Sequence, residues 1–342
     1  MKVSVVILNW NGCDMLRTFL PSVVRYSEGE GIEVCVADNG STDASVTLLQ
    51  QEFPSVRTIV LDQNYGFADG YNLALQQVDA EYVVLLNSDV EVTEHWLEPM
   101  IAYLDNHPEV AACQPKIRSQ RQKEYFEYAG AAGGFIDKYG YPFCRGRIMG
   151  VVEKDEGQYD TVIPVFWDTG AALFIRRADY VNVGGLDGRF FAHMEEIDLC
   201  WRLRSRNREI VCVPQSIVYH VGGATLKKEN PHKTFLNFRN NLVMLYKNLP
   251  QEELNKVMRI RTCLDYLAAF NFLLQGHWDN ASAVMRARKE YKRLCPSFSL
   301  SREENMRKKT LNPIPERTKS SILWQFYVRG CKRFSQLSDL KG

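Results

Sequence analysis

The first 117 residues alternate between apolar runs and amphipathic stretches. VSVVILNW (3–10), IEVCVADN (32–39), VRTIVLD (56–62), YVVLLN (82–87) and VAACQPKI (110–117) read as strands. Between them the spacing predicts helices over 14–26, from about Asp43, over 67–78, and from about Glu94 to Asn106. The strands are near-continuous apolar runs rather than alternating ones. That pattern belongs to a parallel sheet covered by helices on both faces. Ligands of such a sheet bind at the carboxyl ends of its strands.

Beyond residue 117 the pattern loosens. Residues 118–165 mix Gly, aromatics and charge, and predict loops or short hairpins. ALFIRR (172–177) reads as a strand, EEIDLCWRLRSR (195–206) as a helix and IVCVPQSIVYH (210–220) as a strand. From about 232 the chain reads as helical. Leu254, Val257, Arg261, Leu264, Leu267 and Phe270 follow a helical spacing. LDYLAAFNFLLQG (264–276) is either a core contact or a segment that touches a membrane surface; it is too short to span one. The last thirty residues are basic, with Trp324, Phe326 and Tyr327, and read as a membrane-surface tail or a frayed end.

The composition is that of a globular protein, with 45% hydrophobic and 24% charged residues among 342. Nine cysteines without a C-x-x-C pair fit reduced thiols in a cytoplasm. The N-terminus lacks a long apolar region and a cleavage site, and reads as a first strand rather than a signal peptide. The net charge of +1 conceals an asymmetry. Residues 1–200 carry 15 Lys and Arg against 30 Asp and Glu, whereas residues 201–342 carry 27 against 11. The basic part fits an anionic surface or partner, or docks on the acidic half. A nucleic-acid partner is disfavoured, because the basic residues follow no recognition-module pattern.

Four strand tips carry polar residues: NWNG (9–12), ADNGSTD (37–43), NYGFADGYN (64–72) and NSD (87–89). Each alone is an ordinary turn or cap. Together they set carboxylates, amides and glycines around one crevice, which suits a ligand with a sugar, a base and phosphates. NWNGCD is not G-x-G-x-x-G, so a plain dinucleotide-binding dehydrogenase is disfavoured.

VSVVILNWNG, ADNGSTD, NYGFADGYN, LLNSDVEV, GGLDGRFFAHMEEIDLCWR and YHVGGAT occur in that order. The ordered set resembles family-two inverting glycosyltransferases, and most closely their rhamnosyltransferase-type members that build bacterial surface polysaccharides. The resemblance covers about residues 1–245. It implies an α/β fold of the GT-A type: a Rossmann-like, mostly parallel central sheet flanked by helices, with a helical C-terminal extension. It divides the chain into a transferase domain over 1–230, with a nucleotide half (1–117) and an acceptor half (118–230), and a basic helical region over 231–342.

The resemblance also implies roles. Asn9, Asp38, Asn39, Asn64, Gly66, Phe67, Asn72, Asn87 and Ser88 would line the nucleotide site. Asn87-Ser88-Asp89 occupies the place of a D-x-D motif, with an amide for its first acid. Asp89 and His220 would hold Mg²⁺ or Mn²⁺, hard cations that take oxygen and imidazole ligands. Glu196 stands where the general base is found, with Glu195 beside it to hold the acceptor. Asp198 and Arg202, four residues apart, fit a structural pair. Trp167 would stack on a sugar ring or serve the core, and Asp168 would take a sugar hydroxyl. Arg239 would reach a diphosphate or lie on the surface. The partners implied are a nucleoside-diphosphate sugar and a saccharide or lipid-linked acceptor. The location implied is the cytoplasm, with peripheral contact at the inner face of an anionic membrane. The alternative is a non-catalytic nucleotide-sugar or carbohydrate-binding protein of the same fold, which would bind donor without turning it over.

Overall fold

Each apolar run of the first 117 residues forms the strand that its pattern predicts. In the computed structural model, which describes residues 1–222 and 230–337, these strands are β1 (Val3–Asn9), β2 (Ile32–Asn39), β3 (Arg57–Leu61), β4 (Tyr82–Asn87), β5 (Val90–Val92) and β6 (Val110–Ser119). Helices α1 (Cys13–Tyr26), α2 (Ser45–Glu52), α3 (Gly66–Gln76) and α4 (Glu98–Asn106) alternate with them. Next come β7 (Gly134–Ile136), β8 (Pro142–Cys144), β9 (Arg147–Ile148), β10 (Val151–Val152), β11 (Ile163–Pro164) and β12 (Ala172–Arg176). Then follow α5 (Arg177–Asn182), α6 (Glu195–Ser205) and β13 (Glu209–His220).

The main sheet runs β11-β13-β6-β12-β4-β1-β2-β3, and β5 pairs with β13. It is parallel across β4, β1, β2 and β3 and mixed beyond, because β12 lies antiparallel between β4 and β6. Successive side chains of each strand point to opposite faces, so both faces need a core. Val6, Cys35, Val83 and Leu85 join one cluster, and Val5, Ile7, Val84 and Leu86 join the other. Each such aliphatic side chain contributes about 1.5–3 kcal/mol when fully buried. Pro214 lies in β13, where the pairing with β6 shifts register between Val213 and Ile217. A residue without an N–H cannot donate to the ladder, and a bulge accommodates it. Residues 134–152 form a separate four-stranded sheet, β10-β9-β8-β7, where short hairpins are expected.

The C-terminal part is helical: α7 (Pro231–Asn248), α8 (Gln251–Leu274), α9 (Trp278–Leu294), α10 (Ser299–Lys308) and α11 (Ile322–Tyr327). Residues 310–337 fold back over α6 and the small sheet. Arg204 on α6 makes a forked ion pair with Glu316 at 2.7 and 2.8 Å. The Ile322 N–H donates to Asp137 at 2.9 Å, and the Phe334 ring packs against Phe135, Phe143 and Tyr159 of the small sheet. Through residue 337 the tail is therefore packed rather than frayed.

One expectation for α8 is corrected. Leu254, Val257 and Arg261 are buried as their spacing predicts, but the stripe continues through Asp265 and Ala269. Leu267 and Phe270 are instead 62% and 57% exposed. The cause is a buried ion pair: Arg261 bonds Asp265 one turn on, and Arg288 of α9 reaches the same carboxylate. Charge neutralisation fixes which face turns inward, and the apolar residues beside it are left outside.

Candidate active site

The tips of β1 and β2 form a hydrogen-bonded frame. The Asn9 amide donates to Asp38 Oδ2 at 3.2 Å, and Asp38 Oδ1 accepts from the Ser41 N–H at 2.9 Å. Asn39 uses both ends of its amide. Its Nδ2 donates to the Gly66 carbonyl and to Asn64 Oδ1, and its Oδ1 accepts from the Tyr65 N–H. Asn39 therefore shapes the loop over 64–66 and has no free end for a base. Asn64 is exposed and also accepts from the Gly66 N–H. Gly66 has φ +76°, and a Cβ there would lie 3.3 Å from the ring of Phe191. Phe67 faces Gly170, whose own Cβ would sit 3.7 Å from Glu196 Cβ. The wall expected around a nucleoside thus reaches the acidic end of α6. Asn72 points elsewhere: it bonds the Leu186 carbonyl and N–H and the Tyr180 hydroxyl, tying α3 to the acceptor half.

Strand β4 delivers Asn87, and the turn after it delivers Ser88 and Asp89. Asp89 Oδ1 lies 3.1 Å from His220 Nε2, and Asn87 Nδ2 lies 3.5 Å from the same nitrogen. Residues 131 positions apart meet because β5, directly after Asp89, pairs with the end of β13. Burial pushes the Asp89 carboxyl up, but the hydrogen bond and charge of His220 outweigh it and hold it below the usual range. Burial pushes the His220 imidazole down, and the bonds to Asp89 and Glu127 overcome it, carrying it to about 10. Glu127 is a residue that the sequence did not mark. Its Oε1 sits 3.7 Å from His220 Nδ1, behind the ring. Gly223–Thr225 of the YHVGGAT stretch lie outside the described residues.

Among the described residues no group of three or more His, Cys, Asp or Glu is placed to hold a metal ion. Asp89 and His220 are nonetheless a matched carboxylate–imidazole pair. A Mg²⁺ or Mn²⁺ that takes its other oxygens from a diphosphate and water needs only one or two protein ligands. The donor set fits such an ion, and the protonated imidazole must lose its proton to serve it.

The candidate acids sit at the start of α6, after a strained turn. Phe191, His193 and Met194 all have positive φ, at 68°, 71° and 76°. Non-glycine residues in that region persist only where the surroundings impose it. Here α7 imposes it. Asn240 Nδ2 lies 2.8–2.9 Å from the carbonyls of Phe190, Ala192 and His193, and Arg239 donates to Phe190 at 2.8 Å. Arg239 thus braces this turn. Glu195 and Glu196 each keep one buried oxygen without a partner. Burial raises Glu196 to about 7, and burial together with the Glu196 charge raises Glu195 well above the usual range. His193, whose Nε2 is also unpartnered, is lowered by burial to about 4 and stays neutral. Asp198, by contrast, is fully paired. Arg202 reaches it at 3.0 Å, Lys247 at 2.8 Å and Asn248 at 2.8 Å.

Two acceptor-side expectations meet a different geometry. Trp167 is 3% exposed, donates its indole N–H to the Phe135 carbonyl at 2.9 Å, and lies over Gly134, where a Cβ would be only 2.1 Å from the ring. Its face is spent on the backbone and is closed to a sugar. Asp168 is fully buried with both oxygens unpartnered, and burial raises its carboxyl well above the usual range. It lies inside the protein and is not open to a sugar hydroxyl.

A parallel sheet with polar tips on β1 to β4, next to carboxylates on a separate helix, has the architecture of the GT-A fold. Solved structures share it at low identity. The crystal structure of GalNAc-T7 with UDP, GalNAc and Mn2+ matches with a TM-score of 0.58 at 14% identity, over 93% of this chain and 59% of that one. S. aureus TarS 1–349 in complex with UDP-GlcNAc matches with a TM-score of 0.57 at 15% identity, over 90% and 89%. The model described as Glycosyl transferase family 2 matches residues 4–166 of this chain. The protein is rhamnosyltransferase-like. It is 27% identical over 230 residues to the N-acetylglucosaminyl-diphospho-decaprenol L-rhamnosyltransferase of Mycobacterium tuberculosis (strain ATCC 25618 / H37Rv), spanning 63% of this chain and 75% of the relative. It is 26% identical over 163 residues to Rhamnosyltransferase WbbL of Escherichia coli (strain K12), spanning 46% and 61%.

Proposed function

We propose that this chain is an inverting glycosyltransferase. It would move a rhamnose-type sugar from a nucleoside diphosphate to a lipid-linked saccharide during bacterial surface polysaccharide synthesis. The observation that carries the reaction is Glu196: a carboxyl raised by burial to about 7, with an unpartnered oxygen, behind a turn held by Asn240. A base poised near the working pH takes a proton most effectively. In this reading Glu196 removes the proton from the acceptor hydroxyl as that oxygen attacks the anomeric carbon. Attack comes from the face opposite the diphosphate, so the anomeric centre inverts. Glu195 orients the acceptor. Asp38 and Asn9 bind the nucleoside at the tips of β2 and β1, and Asn39 and Asn64 hold the loop that walls it. Asp89 and His220 would hold the divalent cation, whose charge offsets that of the departing diphosphate. The sugar and the lipid-linked acceptor rest on the names of the relatives, one of which acts on a diphospho-decaprenol.

The test is transfer itself. The protein is incubated with a panel of nucleotide sugars, Mg²⁺ or Mn²⁺, and a polyprenyl-diphosphate saccharide, and nucleoside diphosphate and product anomer are measured. Inverted product from a deoxythymidine-diphosphate rhamnose donor supports the reading. Donor binding without release from any of the sugars overturns it in favour of a binding protein.

A further inference from the structure

The apolar surface left uncovered on α8 continues across the turn into α9. Tyr266, Leu267, Phe270 and Leu274 are 49%, 62%, 57% and 71% exposed, and Trp278 and Met285 are 69% and 47% exposed. They cluster at one end of the helical hairpin. Tyr266, Phe270, Trp278 and Met285 line a single open groove of ≈ 470 Å³. The turn, Gln275-Gly276-His277, is itself exposed, and nothing lies within 4 Å of a Cβ built on Gly276.

The charges are sorted along the same two helices. Lys256 and Arg259 are exposed on α8, and Arg286, Lys289 and Lys292 are exposed on α9. Arg259 precedes Tyr266 by seven residues and Phe270 by eleven, so all three share a face. On α9, Trp278, Ser282, Met285, Lys289 and Lys292 follow each other at steps of four, three, four and three, one stripe of the helix. At 1.5 Å per residue the basic end of each stripe stands roughly 15–25 Å from the turn. Both helices thus run from an apolar tip to a basic collar. Asp279 is the acidic residue at the tip, in the first turn of α9.

We propose that the α8–α9 hairpin docks the protein on an anionic lipid surface. With the hairpin lying along the surface, its exposed aromatics and leucines enter the headgroup–acyl boundary, and the basic residues further along the same faces meet lipid phosphates. An interfacial segment buries its apolar face about 5–10 Å deep and gains from anionic lipid around it. The exposed Lys256, Arg259, Arg286, Lys289 and Lys292 complement an anionic surface. No helix among the described residues is long and apolar enough to cross a membrane, so the docking is peripheral. The hairpin also has a route to the reaction site. Ala269, Ala281 and Val284 pack on Phe238 of α7, next to the Arg239 and Asn240 that hold the turn before Glu195. This inference deepens the lipid-linked acceptor reading and places the protein where such an acceptor lies.

The experiment is co-sedimentation of the full chain with vesicles of phosphatidylcholine alone or with 30 mol% phosphatidylglycerol (~30%, a typical anionic fraction for such tests). Donor turnover with a soluble acceptor is followed in parallel, so that failure of the transferase reading shows separately. The protein is expected to pellet with the anionic vesicles and to be released by salt. Leu267→Ser with Phe270→Ser and Leu274→Ser should lower the bound fraction at least about tenfold. Lys289→Gln with Lys292→Gln should lower it several-fold and flatten its salt dependence, and it tests the proposal even if the triple variant fails to fold. Soluble turnover should be unchanged in both. Absence of pelleting overturns the proposal, as does equal binding by the variants. A dimer in light scattering that the triple variant abolishes, without vesicle binding, assigns the face to a second copy instead.

Discussion

The frame at the tips of β1 and β2 and the head of α6 are finished in opposite ways. At the tips of β1 and β2, Asp38, Asn39, Asn64 and Ser41 are bonded to one another or to backbone, and Asn9 Oδ1 is the buried oxygen left over. At the head of α6, Glu195 and Glu196 each leave a buried oxygen unmet. Satisfied amides stabilise a shape. Unmet buried carboxyls cost stability and hold raised pKa values, which is the condition of an acid or base waiting for its substrate. On the proposed function, one region is built for form and the other for proton transfer.

The contrast breaks most sharply at Glu196. Glu196→Gln should lower transfer by roughly 10²–10⁴-fold with donor affinity kept, as nucleoside-diphosphate release and donor titration would show. Retention of full transfer would move the base elsewhere. Asp89→Ala should cost roughly 10²–10³-fold and remove the response to added Mg²⁺ or Mn²⁺, because one of the two proposed protein ligands is lost. A profile of kcat/KM against pH sharpens the same point. Glu196 works as a base only when ionised, so the rate should fall about tenfold per pH unit below pH 7 and level off above it. A flat profile between pH 5 and pH 8 (roughly the range where such a group must titrate) would contradict the raised carboxyl.

Two stability measurements test the contrast at lower amplitude, with opposite signs. Asn39→Ala strands the Tyr65 N–H and the Gly66 carbonyl and should destabilise by about 1–3 kcal/mol in thermal or denaturant unfolding. Asp168→Asn should stabilise. The Asp168 carboxyl is raised on folding, so its contribution is fully present below the unfolded value and is lost as pH climbs towards the folded one. The gain from Asn should therefore be near zero at pH 4 and on the order of 1–3 kcal/mol at pH 8. No growth with pH would show that Asp168 finds a partner in solution.

Much of the sheet and its polar strand tips was legible in the sequence, because those signals are local. A buried strand, a polar tip and a following helix lie within twenty residues of each other, as in YVVLLNSDVEV. The acceptor side depends on contacts between distant residues. Glu127 lies in a stretch without periodicity, and only the pairing of β6 with β13 brings it behind His220. Asn240 stands beside the noted Arg239, but its grip on three carbonyls fifty residues away follows from tertiary packing. Trp167 and Asp168 follow one another in the expected motif, yet Gly134 lets the indole lie flat on the backbone and draws the pair inward. The apolar spacing of α8 could not reveal that a buried Arg261–Asp265 pair would turn its leucines outward.

Asp198 ties the fate of two segments together. It sits one turn after Glu195, and its three partners include Lys247 and Asn248 at the end of α7. Removing one partner of a buried charge typically costs about 3–5 kcal/mol. A chimera that kept residues 1–230 and borrowed the remaining helices from a relative would inherit both candidate acids and lose what anchors them. Positions 198, 247 and 248 must therefore drift together, and a change in the C-terminal helices can silence a reaction whose own residues are intact.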